Sequence, residues 1–197
     1  MRAVPSRSTA PFLERRRTGP IAGAIPVAIG VGALFLRVEI APLPSGQQRL
    51  ALGVLYAAIL AGSLLVPVPR GVARLRPSVV LGTGVGAVVL ATMVGGRPPA
   101  VPFAAWAFPL SIFGAMSEEA LFRRVAYSWL ERNGALVAVV GSAALFAVIH
   151  LAFYGPPALP VDLGAGLLFG WQRWASGTWT VPATTHAAAN ILAIMVR

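Results

Sequence analysis

Seven long apolar stretches separated by short polar joints make up most of this chain: residues 21–36, 50–66, 79–94, 103–130, 135–153, 159–174 and 181–196. Runs of this kind predict membrane-spanning helices. Several are near or below the roughly 20 residues a spanning helix needs, so flanking residues must also lie at membrane depth. The fourth becomes more polar along its length. Prolines mark the joints: Pro42, Pro44, Pro67, Pro69, Pro98, Pro99, Pro156 and Pro157. Gly82, Gly84 and Gly86 suit close helix packing in lipid. The expectation is an all-α polytopic membrane bundle of about seven transmembrane helices. Residues 1–18 form a basic leader, 19–102 hold three N-terminal helices, and 103–197 form a helical core.

Composition agrees. Apolar residues make up 57% and charged residues 11%, with a mean hydropathy of +0.76. Soluble domains average about 45–50% and about 25%. The formal charge of +10 is scattered over short segments between apolar runs, so nucleic acid is rejected as a partner and the charge is taken as a topology signal. With a cytoplasmic N-terminus, that side collects the leader arginines together with Arg70, Arg74, Arg76, Arg123, Arg124, Arg132 and Arg173. The other side keeps Arg37, Arg49, Arg97 and Arg197. This is the bias of the positive-inside rule, and it predicts a multi-pass protein of the cell membrane. Every basic residue is Arg, which points to a GC-rich bacterial gene. The absence of Cys excludes disulfides, cysteine catalysis and thiolate metal ligands. The leader, with Glu14, Arg15, Arg16 and Arg17, reads as disordered. The apolar run after it is long and lacks a clear signal-peptide cleavage site.

The candidate chemistry lies in a few polar residues set into the apolar stretches. A charged side chain at the bilayer centre costs about 2.5–3.5 kcal/mol on insertion scales, and such residues usually mark a functional site. Glu118 and Glu119 are adjacent. Glu119 and Arg123 are four apart, so on a helix they share a face and pair. Glu118 points about 100° away, with no cation on its own helix, free to face a cavity. The bland alternative is an interfacial helix with solvated charges, which suits Arg124 and Arg132. Phe146 lies four before His150, where it would shield the ring; the alternative is a satisfied histidine at a helix end. His186 and Asn190 repeat the spacing, with Asn190 placed to hold a tautomer or donate to an oxyanion, or else to act as packing glue. Thr184 and Thr185 read as such glue, and Ser117 and Ser142 as ordinary membrane-helix serines rather than nucleophiles.

Two mechanisms are open. Glu118, His150 and His186 would give a divalent metal, zinc above all, a two-histidine, one-carboxylate sphere, although the contiguous HExxH helix is absent. Without metal, a carboxylate and an imidazole would deprotonate a water while His186 and Asn190 stabilise the oxyanion. Both end in hydrolysis of an acyl bond.

The three motifs, in this order, resemble those of the CPBP (CAAX protease and bacteriocin-processing, or ABI) intramembrane endopeptidases. That family has two glutamates followed by an arginine four after the second, then a Phe four before a His, then a His four before an Asn. The stretch from Gly166 to His186 resembles the glycine-rich helix and turn before the last motif. The resemblance covers about residues 103–197. It implies that Glu118 and His150 activate water, that Glu119 and Arg123 support them, and that His186 and Asn190 form an oxyanion site. It leaves the metal open, since both metallo- and glutamate-type members are described. Many relatives have about eight membrane segments, one more than counted here, which bears on substrate entry and oligomeric state. Peptide-bond hydrolysis in a membrane-associated or lipidated peptide is expected, in a cavity open to the cytoplasmic side because Glu118 lies just before the Arg123–Arg132 cluster. The rivals are a non-proteolytic immunity or scaffold protein of the same fold, and a small proton-coupled transporter, against which stands the lack of an internal repeat.

Overall fold

The computed structural model describes residues 20–94 and 105–196. The leader, Arg97, Pro98, Pro99, the start of the fourth stretch and Arg197 lie outside them. The described residues are helical apart from short connections. Helix α1 spans Pro20–Ile40, α2 Ser45–Leu65, α3 Pro77–Val94 and α4 Ala107–Glu119. Helix α4 continues through a π-helical stretch, Ala120–Ala126, into α5, Tyr127–Leu130. Then come α6 (Ala135–Tyr154), α7 (Leu159–Ser176) and α8 (Thr180–Met195). Each apolar stretch thus becomes one helical rod. Among the described residues, α1, α2, α3 and α6 are long and apolar enough to cross a membrane. The α4–α5 rod, α7 and α8 carry most of the buried polar groups instead.

The rods alternate in direction, which gives the bundle two faces. The first face holds the start of α1, the α2–α3 connection, the α5–α6 turn and the α7–α8 turn. The second face holds the α1–α2 and α6–α7 connections and the end of α8. Three turns, at Gly134, Gly155 and Gly177, use backbone that favours glycine. Gly155 (φ 75°) reverses the chain after α6, ahead of a 3₁₀ turn at Pro156–Ala158. Gly177 (φ 72°) ends α7 in the left-handed region, its N–H bonded to the Arg173 carbonyl.

Close contact between α6 and α7 depends on small residues. A Cβ on Gly166 would stand 2.9 Å from the Cα of Ala143, and one on Gly170 would stand 3.1 Å from the Val139 carbonyl oxygen. Lipid offers no hydrophobic drive for helices to associate, so packing at this range supplies cohesion. Buried polar links add to it. The Gln172 side chain on α7 donates to the Val80 carbonyl on α3 (3.1 Å) and to the Thr185 hydroxyl on α8 (2.9 Å). An apolar core of Leu34, Leu55, Ile59, Leu121, Phe122, Phe146, Ile149 and Phe169 fills the centre.

Several expectations need correcting. Of Gly82, Gly84 and Gly86, only Gly84 meets a neighbour, packing against Gln172 and Thr185; a helix turns about 100° per residue, so the other two face outward. Arg124 is not simply solvated. Its guanidinium reaches the carbonyls of Ser63, Leu64 and Val66 at the end of α2, where unpaired carbonyl oxygens attract a cation. Thr184 bonds only within its own helix, to the Thr180 carbonyl, whereas Thr185 links helices as expected. Gly166→Ala should lower stability by about 1–3 kcal/mol through overpacking. Gly164→Ala, with nothing within 4 Å of its Cβ, should leave it unchanged or slightly raised. Thermal unfolding of the two variants in detergent checks the contrast.

Candidate functional site

The six polar residues singled out from the sequence come from three rods and meet at one place. Glu118 and Glu119 end α4, Arg123 sits in the π-helical stretch, His150 lies near the end of α6, and His186 and Asn190 lie on α8. A π-helical turn is rare and recurs at functional sites. Here the Tyr127 N–H bonds to the Phe122 carbonyl, five residues back, and the wide turn begins directly after the two glutamates.

The two carboxylates have separate surroundings. Glu119 and Arg123 are completely buried, with Arg123 Nε 3.3 Å from Glu119 Oε2. The Arg123 guanidinium donates to the Gly166 carbonyl at 3.0 Å and lies 5.1–5.8 Å from the ring centres of Phe146, Phe169 and Phe122. Aromatic faces partly replace the water that a buried cation loses. The other oxygen of Glu119 lies 3.1 Å from His186 Nδ1. A carboxylate only accepts, so Nδ1 bears the proton. The supporting pair expected from the i, i+4 spacing is therefore present, and it also orients a histidine. The sequence left Asn190 either to hold that tautomer or to donate to an oxyanion. Glu119 holds it instead, and the Asn190 amide donates to the Ser111 carbonyl at 3.3 Å.

Glu118 faces a cavity of about 250 Å³ lined also by Arg37, Tyr56, His150, His186 and Asn190. His150 Nδ1 is 2.9 Å from the Phe146 carbonyl; a carbonyl only accepts, so this nitrogen too carries its proton. That turns Nε2, unprotonated in the neutral ring, toward Glu118 Oε2 at 3.7 Å. Two acceptors facing each other repel. A water beside the pair, about 2.8 Å from each atom, would donate a proton to both and relieve that repulsion. Phe146 stacks on His150 with ring centres 4.1 Å apart, giving the shield that the spacing predicts. Phe169 stacks on His186 at 5.0 Å. Ser117 is buried between the Tyr56 and Phe113 carbonyls, consistent with a packing role rather than a nucleophilic one.

Nothing in the sequence singled out Arg37. It counts there as a loop charge on the arginine-poor side, but α1 continues past its apolar run, and Arg37 Nη1 pairs with Glu118 Oε1 at 2.8 Å. The nearest signal was an arginine followed by Glu39 at the end of an apolar run, too common to point at a site. Asp162, on α7, lies within electrostatic reach of His150 and Glu118 and was also overlooked, as a lone acid just after a proline turn.

The three-donor metal set does not fit this arrangement. Glu118 already carries the Arg37 guanidinium, whose charge opposes a second cation. Among the described residues, no three His, Asp or Glu are placed to hold an ion.

The cavity runs from Glu118 and His186, near mid-bundle, to Tyr154, Ala107 and Ile194 at the second face, opposite the start of α1. Glu118 does precede the arginine cluster in sequence, but the rod carries Arg124 and Arg132 away from the cavity, to the first face, while Arg123 stays in the core.

Residues 100–192 match the model of the family described as type II CAAX prenyl endopeptidase Rce1-like, the family that the three motifs resemble. No curated protein and no solved structure matches the chain. Removing one partner of a buried ion pair costs about 3–5 kcal/mol, whereas replacing both by apolar groups is often neutral. Arg123→Met should therefore strongly destabilise the protein, and Glu119→Leu/Arg123→Met should recover much of the loss, as read from thermal unfolding of the single and double variants.

Proposed function

We infer, from the match of residues 100–192 to the Rce1-like prenyl endopeptidase family, that the chain is an intramembrane endopeptidase that hydrolyses a peptide bond with a water activated by Glu118 and His150. The observation that carries this reading is the pair of acceptors 3.7 Å apart in a cavity, walled by His186 and Asn190. The substrate class is a membrane-associated or lipidated peptide, since the cavity sits among helices long and apolar enough to span a membrane.

The reaction follows from where the protons lie. Water bridging Glu118 Oε2 and His150 Nε2 attacks the peptide carbonyl carbon and passes its proton to this pair. The oxyanion accepts a hydrogen bond from the second N–H of the Asn190 amide and sits beside the His186 ring, which Glu119 orients through Nδ1. The proton then moves from the Glu118–His150 pair to the departing amine, and the peptide C–N bond breaks to give acid and amine. General acid–base groups of this kind contribute about 10²–10⁴-fold each. The donor geometry favours this metal-free route.

We place the N-terminus in the cytoplasm. Among the described residues, Arg70, Arg74, Arg76, Arg124, Arg132 and Arg173 lie toward the first face, against Arg37 and Arg49 toward the second, the bias of cytoplasmic loops. The cavity mouth then opens on the far side of the cell membrane, and substrates arrive from there.

Glu118→Gln and His150→Ala should each lower cleavage by at least about 10²-fold while membrane insertion is retained, as measured by peptide cleavage and fractionation. Full activity in either variant ends the assignment. Wild-type activity should survive a strong zinc chelator, and its loss with recovery on adding metal would restore the metal route. The cysteine-free chain allows a direct test of topology. In intact cells, an impermeant maleimide should label Ser45→Cys at the second face and spare Gly134→Cys at the first. The reverse pattern puts the mouth in the cytoplasm.

A further inference from the structure

The family match begins at residue 100, yet one of the groups touching Glu118 comes from α1. Arg37 stands three residues before the end of that helix. Its guanidinium bonds Glu118 Oε1 at 2.8 Å and lies 4.4 Å from the centre of the Phe153 ring and 5.9 Å from that of Tyr56. Its side chain is only 17% exposed, so the ion pair is largely removed from water and little screened. The two rings restrict the planar guanidinium, and the guanidinium in turn restricts the carboxylate. The terminal torsion of a glutamate is otherwise broad, and a turn of this group would carry Oε2 away from His150.

Charge balance points the same way. Glu118 and Glu119 are adjacent and buried. Arg123 lies against Glu119, which leaves Glu118 with no cation on its own rod. Arg37 supplies the missing charge from another helix. Each carboxylate then faces a cation of its own, Arg123 for Glu119 and Arg37 for Glu118.

We propose that Arg37 is the positioning residue of the site: it locks Glu118 in the orientation that faces His150 and supplies its counter-charge, which extends the machinery to α1. The role rests on the peptidase reading; the contact on which it depends can be tested without it.

The experiment uses the full chain in detergent micelles and a quenched fluorescent peptide chosen from a library by cleavage with the wild-type protein. Arg37→Met should lose at least about 10²-fold in kcat with KM within about twofold, since the lost contact acts on the reacting carboxylate rather than on peptide binding. Arg37→Lys, which keeps the charge but not the fork, should recover at least tenfold over Arg37→Met. In parallel, the thermal shift caused by Arg37→Met should largely vanish in a Glu118→Gln background, since coupled neighbours are non-additive. Wild-type kcat in Arg37→Met, or no recovery with Lys, overturns the role. Additive thermal shifts overturn the contact itself. A wild-type protein that cleaves no peptide refutes the peptidase reading and the catalytic role with it, while the thermal cycle still decides whether Arg37 holds Glu118.

Discussion

A charge buried among helices must find its partners inside the protein, and the Glu119–Arg123 pair organises the rest of the site around that need. Both residues are completely buried. Unpaired, either would cost several kcal/mol. The arginine is held by a carboxylate on its own rod, by the Gly166 carbonyl of α7 and by three phenylalanine rings. The carboxylate in turn holds His186 of α8. One pair thus ties three rods together, and it ties them where Gly166 lets α6 and α7 come close enough for His150 to reach the same cavity.

The neighbouring Glu118 then has a different fate from Glu119 for a geometric reason. Consecutive residues on a helix diverge by about 100°, so one glutamate points into the packed core and the other into the cavity. The first has a fixed counter-charge on its own rod and serves structure. The second lies 3.7 Å from a histidine nitrogen at the cavity, with Arg37 on its other oxygen. Two residues of the same type, side by side, take a supporting role and a reactive one because of what faces each.

The wide turn at Ala120–Ala126 also bears on how the rod is used. It lies between the glutamates and α5 and brings Arg123 to the core while Arg124 reaches back to the end of α2. Adjacent arginines therefore serve two different interfaces. Beyond the turn the rod continues to the first face, so the arginine-rich end and the cavity end of the same rod are on opposite sides of the bundle.

The sequence by itself determined the rods and the pairs local to each rod. Apolar runs interrupted by proline and glycine marked the seven helical rods to within a few residues, because in lipid only a helix satisfies its own backbone. The i, i+4 spacings marked Glu119 with Arg123 and Phe146 with His150, because such pairs are local. Only the tertiary structure decided what depends on rods meeting: that His186 belongs to Glu119 rather than Asn190, that Glu118, His150 and His186 border one cavity, and that Arg37 reaches Glu118 from eighty-one positions away. Periodicity along a helix fixes which side chains share a face, but it carries no information about which other helix that face will meet.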